Sequence, residues 1–176
     1  LANVSSTCQV CHREETEELV KNVYERQDKI KSSRDQLETL LVQAHVEAGK
    51  AWELGATDQE MTAPLDDIRK AQWRWDFVAA SHGASFHSPI ESARILADGI
   101  NMAQEARLKL ARILAAKGFN EQVPYPDIET KAKAQEYVGL DMDKLNSEKE
   151  RFMEEVVPQW IKKAEEREKT YKTKNL

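Results

Sequence analysis

The feature that most constrains the fold is a long stretch, residues 14–54, in which nothing interrupts a helix. It contains no proline and a single glycine, Gly49. Such a stretch predicts one helix, and at 1.5 Å per residue a helix of this length would span about 60 Å. Apolar side chains recur along it every seven residues, which predicts one narrow packing stripe. The recurring residues are Val23, Ile30, Leu37, Ala44 and Ala51.

Two explanations for this stripe remain open. The stripe could pack against another helix of the same chain, of which the best candidate is the one predicted over 89–117. Alternatively it could pair with a second chain, because a helix of about 60 Å is longer than a compact domain of this size is wide. The length and the seven-residue recurrence favour the second explanation. We therefore predict a homodimer through the long helices.

Helix-ending and helix-starting residues divide the next part of the chain. Gly55 is predicted to end the long helix in the left-handed conformation. Thr57 and Glu60 have the spacing of a capping box, which predicts a short helix. Pro64 is then predicted to begin a second helix that ends near His82. Residues 83–88 are predicted to form a tight loop.

The remaining residues predict further helices. The segment Ser88–Glu91 combines a second capping box with proline at the first helical position, and predicts a helix to about residue 117. After an extended crossing at 124–126, a short helix should end at Val138. Asp141 should cap a last helix, over about 142–171, with a kink near Pro158. No strand pattern is present, so we predict an all-α fold.

Composition narrows the possible functions. The chain has 176 residues, of which 32% are charged, and its net charge is −5. A net negative charge does not favour a nucleic-acid partner, and no apolar run is long enough to span a membrane. We predict one helical domain over 14–176, preceded by a short segment over 1–13 with a separate chemical role.

That role follows from the two cysteines of the chain, Cys8 and Cys11, with His12 directly after them. Cys-x-x-Cys-His is the spacing of a covalent c-type haem attachment site. Each thiol adds to one vinyl group on one edge of the porphyrin, and the next residue then lies under the iron. His12 is therefore the predicted proximal axial ligand of the haem iron. A zinc site would need a second ligand pair, and a redox disulfide usually accompanies a βαβ pattern; the sequence contains neither.

Three further histidines are candidates for an iron ligand. His45 lies on the long helix and is best explained as a surface or packing residue. His82 ends an apolar stripe, where a histidine commonly interacts with the helix dipole. His87 lies in the loop between two helix ends, which would fix its position, so spacing favours His87 over His82 as a distal ligand. No convergent carboxylates, phosphate loop or nucleophile elbow indicates a catalytic residue.

Several segments together resemble the C-terminal part of pentahaem cytochrome c nitrite reductases, the ammonia-forming periplasmic enzymes. The resemblance covers nearly the whole chain and is more specific than the haem motif alone. Residues 8–12 and the charged helix that follows them carry part of the resemblance. The other matching segments are 67–76 (Asp-Ile-Arg-Lys-Ala-Gln-Trp-Arg-Trp-Asp), 80–83, 87–89, 117–118 and 157–160.

The resemblance implies roles for the candidate ligands. Cys8, Cys11 and His12 would attach the last haem of the family. His87 would be the distal ligand of the preceding haem, with His82 as second choice, so that His12 and His87 would serve two different irons. The sequence alone would have paired them on one iron. Haems with two histidine ligands have no free site for substrate and relay electrons.

The resemblance also implies what lies outside this sequence. The chain would be a C-terminal piece of a longer, periplasmic polypeptide that forms homodimers and receives electrons from a redox partner. The lysine-ligated substrate haem and the calcium site of the family are both outside these residues, so the piece should be inactive alone. Two alternatives stay open: a multihaem c-type electron carrier without reductase activity, and a structural helical module with no haem bound.

Overall fold

A computed structural model describes residues 3–171, and the all-α prediction is confirmed. The described residues contain eight helices and no strand. The helices are α1 (Val4–Thr7), α2 (Thr16–Glu53), α3 (Asp58–Ala80), α4 (Ala84–His87), α5 (Pro89–Ala116), α6 (Lys131–Tyr137), α7 (Met142–Glu155) and α8 (Val157–Glu168). They divide between two compact units, Leu1–Tyr125 and Pro126–Leu176.

The first unit is built on mutual packing of α2, α3 and α5. Each of these helices contributes one apolar face to a single core, which excludes water from most of its large side chains. Its largest fully buried side chains are Leu37, Met61, Pro64, Leu96 and Leu110.

The long helix is present as predicted, at Thr16–Glu53, within two residues of the predicted ends. Gly55 follows it with φ 79°, the left-handed conformation predicted there. The apolar stripe, however, is covered inside the chain: Ile30 is 6% exposed and Leu37 is 0% exposed, in a core shared with α3 and α5. The intrachain explanation is therefore correct from residue 30 to 51. A homodimer stays a prediction, and it would need another face of α2.

One crossing in this core requires glycine. A Cβ atom added at Gly99 of α5 would lie 2.6 Å from Cδ2 of Leu37 and 3.4 Å from Cβ of Arg74. The first distance is too short for two carbon atoms, so a side chain at this position would require either the buried Leu37 side chain or the two helices to shift.

Helix α3 begins with the predicted capping box, but the predicted interruption at Pro64 is not present. Thr57 and Glu60 form the predicted capping box, in which the backbone N–H of Thr57 donates to Oε2 of Glu60 at 2.7 Å. The predicted restart at Pro64 is wrong, because α3 continues through it. Proline removes only one hydrogen bond of the helix, and the Pro64 ring is fully buried in the core.

The segment between α3 and α5 also differs from the prediction. The predicted loop over 83–88 contains the one-turn helix α4. Pro89 begins α5 as predicted, but the Ser88 side chain makes no capping hydrogen bond, so the second capping box is wrong. The Glu91 carboxylate instead accepts hydrogen bonds from Arg94, one of them at 2.6 Å. Gly118, with φ 86°, follows the end of α5 as predicted.

A charged cluster ties the extended segment after α5 to the long helix. The Glu47 carboxylate, 7% exposed, accepts two hydrogen bonds to Oε1 from Arg107, at 2.8 and 3.0 Å. The Tyr125 hydroxyl donates to the same Oε1 at 2.6 Å and accepts from Arg107 at 2.9 Å. The hydrogen bond to Glu47 raises the pKa of Arg107, and burial raises the pKa of Tyr125.

In the second unit, the Asp141 side chain caps α7 by accepting from the N–H of Lys144 at 3.0 Å, as predicted. The predicted kink near Pro158 is a break at Val156 between α7 and α8. Phe152 and Trp160 meet across this break, edge to face, with ring centroids 5.3 Å apart. No helix in the described part of the chain is long and apolar enough to cross a membrane.

Candidate functional site

The two cysteines and His12 lie in a compact turn at the end of α1. The N–H of Cys8 donates to the carbonyl of Val4 at 2.8 Å, and the N–H of His12 donates to the carbonyl of Cys8 at 3.0 Å. Cys8 is half-buried and Cys11 is exposed, and both are free thiols. These backbone bonds fix the spacing of the three side chains, which covalent attachment to one porphyrin edge requires.

Gln9, one of the two residues between the cysteines, anchors this turn to the long helix. Nε2 of Gln9 donates to the carbonyl of Glu14 at 3.0 Å, and the hydroxyl of Thr16 donates to Oε1 of Gln9 at 3.1 Å. Thr16 is the first residue of α2. The attachment turn is therefore positioned against the start of α2 by a polar side chain that the motif itself does not specify.

A cavity of about 380 Å³ opens between this turn, the first turns of α2 and the one-turn helix α4. That volume lies in the range of cofactor and ligand sites. Several of its walls are apolar, as a porphyrin face requires. The lining includes Cys8, Cys11, His12 and His87, with Val4, Leu19, Val20, Val23 and Phe86.

His87 reaches this cavity because α4 is fixed on two sides. The backbone N–H of His87 donates to the carbonyl of Gly83 at 3.1 Å, and this bond closes the single turn of α4. Nη1 of Arg26, on α2, donates to the carbonyl of Phe86 at 3.0 Å. The rings of Phe86 and His87 are in contact, with centroids 4.5 Å apart.

The structure thus brings together all four predicted site residues, Cys8, Cys11, His12 and His87. His82 lines a different cavity, of about 370 Å³, with Tyr24 and Arg34 among its neighbours. His45 is exposed on α2, in agreement with its interpretation as a surface residue. Which iron each of His12 and His87 would serve stays a prediction.

Two polar side chains at the site were missed by the sequence analysis. Arg26 lies in a charged part of α2, and the Phe86 carbonyl that it contacts is 60 residues further along the chain. Oε2 of Glu14 lies 3.6 Å from Nδ1 of His12, and both side chains are about half exposed, at 47% and 48%. A carboxylate beside one ring nitrogen orients an imidazole for coordination through the other nitrogen. Its position in the sequence, two residues after His12, could have indicated that Glu14 lies near the predicted iron ligand.

A zinc ion and a porphyrin need different sets of side chains. Among residues 3–171, no group of three or more His, Cys, Asp or Glu side chains is arranged to hold a metal ion. A porphyrin, in contrast, needs from this segment only two thiols, one imidazole and apolar walls, and the cavity provides each of them. The donor set and the walls therefore fit a covalently attached haem.

A Cys-x-x-Cys-His turn on an apolar cavity in an all-α chain defines the class of c-type cytochromes, which bind haem c and transfer electrons. Comparison with known proteins gives the particular family. The chain belongs to the cytochrome c552 family, whose model matches residues 1–172.

Curated relatives named cytochrome c-552 are similar over nearly the whole chain. The protein from Porphyromonas gingivalis is 57% identical over 164 residues, which cover 93% of this chain and 33% of the relative. That from Parabacteroides distasonis is 54% identical over 166 residues, 94% of this chain and 34% of the relative. The protein from Bacteroides thetaiotaomicron is 54% identical over 164 residues, which cover 93% of this chain and 33% of the relative. The chain thus spans about a third of the length of these relatives.

Proposed function

We propose that this chain is the C-terminal haem-binding and dimerisation region of a periplasmic, ammonia-forming nitrite reductase. Its own task is to carry an electron-transfer haem c and to ligate a neighbouring one. The observation that carries the proposal is the convergence of Cys8, Cys11, His12 and His87 on one cavity. The similarity to nitrite reductases in segments far from the haem motif supports the choice of enzyme.

Each residue has a defined part in this function. The thiols of Cys8 and Cys11 hold one porphyrin edge, and the His12 imidazole coordinates the iron. The Glu14 carboxylate, 3.6 Å from Nδ1 of His12, keeps the ring oriented. The apolar part of the lining, which includes Val4, Leu19 and Val23, would contact the porphyrin. When bound, haem c supplies one-electron chemistry.

His87 completes the proposal. On this cavity it could ligate the iron held by Cys8 and Cys11 or an adjacent one, and the family resemblance favours the adjacent haem. On a single iron, His12 and His87 would fill both axial positions. On two irons, each would need a second axial ligand from outside these residues, which the resemblance expects to be histidine, and neither iron would keep an open position for substrate. Nitrite would therefore be reduced at a lysine-ligated haem outside these residues. This region would relay electrons from a redox partner and make no ammonia by itself.

The dimer belongs to the same proposal, with a revised contact surface. Because the stripe from Ile30 to Ala51 is buried within the chain, the contact would use the exposed face of α2. That face carries Trp52, which is 41% exposed. A large aromatic side chain on a solvent-facing helix is typical of an interface anchor.

The test is covalent haem attachment. The chain is produced in a periplasm with a c-type maturation system, and haem is measured by visible absorption and by haem staining after denaturing electrophoresis. We expect haem that survives denaturation in the unchanged chain and none in a Cys8→Ala, Cys11→Ala variant. A chain that stays colourless under these conditions would support the structural-module alternative.

A second measurement separates the reductase from a simple electron carrier. The haem-loaded chain should produce no ammonia from nitrite, while the polypeptide that includes the upstream sequence should. An upstream sequence without a Cys-x-x-Cys-Lys motif, or without turnover, would favour the electron carrier.

A further inference from the structure

We propose that Arg26 is a positioning residue of the haem site, which holds His87 in place and puts a positive charge on the wall of the cavity. This inference rests on the proposed function, because it concerns the residues that face the haem. It follows from one hydrogen bond and from the place of that bond in the fold.

The positioning role comes from the bond between α2 and α4. Nη1 of Arg26 donates to the carbonyl of Phe86 at 3.0 Å, and Phe86 directly precedes His87. Helix α4 has only four residues and none of them is buried. A helix this short has little stability of its own. A charge-assisted bond from the long, packed helix α2 therefore helps to fix the position of His87, together with the backbone bonds that close α4.

The electrostatic role comes from the lining of the cavity. The lining of the cavity contains one arginine, Arg26, and one carboxylate, Glu14. Its two histidines are His12 and His87. Glu14 lies beside His12, whereas Arg26 bonds to a neutral carbonyl and keeps its full charge. A cation near the iron favours the ferrous over the ferric state, which raises the reduction potential.

The two roles are tested with two variants and one control. Arg26→Gln removes the charge and shortens the donor, whereas Arg26→Lys keeps the charge. Arg112→Gln removes the same charge from an exposed position of α5 that does not line the cavity. It therefore controls for the general effect of one charge fewer.

Amide hydrogen exchange of the haem-free chain tests positioning. The N–H groups of His87 and Ser88 bond within α4, at 3.1 and 2.8 Å. In Arg26→Gln we expect both to exchange about three- to tenfold faster, the effect of losing one net hydrogen bond. Amides of the α2–α3–α5 core should not change, nor should those of Arg112→Gln. Unchanged rates at His87 and Ser88 in Arg26→Gln would overturn the positioning role.

Redox titration of the haem-loaded protein tests the charge. Arg26→Gln should lower the reduction potential of the haem on Cys8 and Cys11, while Arg26→Lys and Arg112→Gln should leave it close to that of the unchanged protein. Equal potentials in all four proteins, or a Lys variant shifted as far as the Gln variant, would overturn the electrostatic role. If no haem attaches to the unchanged chain, the proposed function fails and the electrostatic role fails with it, whereas the exchange experiment still decides the positioning role.

Discussion

The Glu47 carboxylate and the Arg107 guanidinium form a two-point ion pair between α2 and α5, with Oε1 of Glu47 2.8 Å from Nη2 and 3.0 Å from Nε of Arg107. Tyr125 bonds to both partners. The Glu47 side chain has little access to water, so without Arg107 its charge would keep only the Tyr125 hydroxyl to compensate for the lost hydration.

Arg107→Met should therefore lower the free energy of unfolding by about 2–4 kcal/mol, because the Glu47 charge stays buried and unpaired. Urea denaturation followed by circular dichroism measures it. Tyr125→Phe is the milder comparison and should cost about 1 kcal/mol, since it removes a hydroxyl and leaves the ion pair. A loss from Arg107→Met no larger than that from Tyr125→Phe would contradict the assignment.

Gly99→Ala should destabilise the first unit by about 1–3 kcal/mol, because the new Cβ would overlap Leu37 at the α2–α5 crossing. Gly49→Ala is the matched control: a Cβ there meets nothing within 4 Å on an exposed helical position. That variant should stabilise by about 0.5–1 kcal/mol, the usual difference between glycine and alanine inside a helix. Thermal unfolding of both variants should show midpoints that move in opposite directions.

Glu60 should make the stability depend on acid pH. The hydrogen bond from the backbone N–H of Thr57, together with Lys117, lowers the pKa of Glu60 from 4.5 to about 2. A carboxyl whose pKa is lower in the folded state contributes stability that is complete above pH 4.5. That contribution is lost as the pH falls from about 4.5 to about 2.

The measurement compares unfolding of the unchanged chain and of Glu60→Gln across this range of pH. Other carboxylates with lowered pKa values, such as Asp66 and Glu91, titrate in both proteins. The stability difference between the two should therefore isolate Glu60, and it should shrink as the solution becomes more acidic. A difference that is constant with pH would show that the capping box does not bind the ionised form more tightly.

The two histidines near α4 should have different effects on the haems. In the haem-loaded protein with its upstream sequence, His87→Ala should remove the low-spin, two-histidine spectrum of one haem, because His87 lines the cavity of the attachment motif. His82→Ala is the control and should leave the spectrum unchanged, since His82 faces another cavity. Loss of that spectrum in His82→Ala alone would assign the ligand to His82.

Substitutions on the buried and on the exposed face of α2 should have different effects, the first on folding and the second on dimer formation. Ile30→Glu with Leu37→Glu places two carboxylates in the core, so it should unfold the first unit at a cost of about 4 kcal/mol or more. Trp52→Glu should leave the circular dichroism spectrum intact and convert a dimer to a monomer. Sedimentation equilibrium measures the mass. A Trp52→Glu variant that still dimerises would exclude this part of α2 from the interface.

The sequence by itself determined most helix boundaries and the attachment chemistry. Gly55 and Gly118 needed no distant partner to end their helices, because glycine adopts the left-handed conformation without steric cost. The caps at Thr57 and Asp141 act over three residues. The spacing of Cys8, Cys11 and His12 is likewise local, so its chemistry can be inferred without a fold.

Only the tertiary structure decided which surfaces meet. The seven-residue stripe of α2 predicted a packing face correctly, but periodicity carries no information on whether the partner is the same chain or another one. Pro64 continues its helix because burial in the core outweighs one lost hydrogen bond. The bonds of Glu47 to Arg107 and of Arg26 to Phe86 each join residues 60 positions apart. Contacts at that separation arise from how the helices cross, and they leave no pattern in the neighbouring sequence.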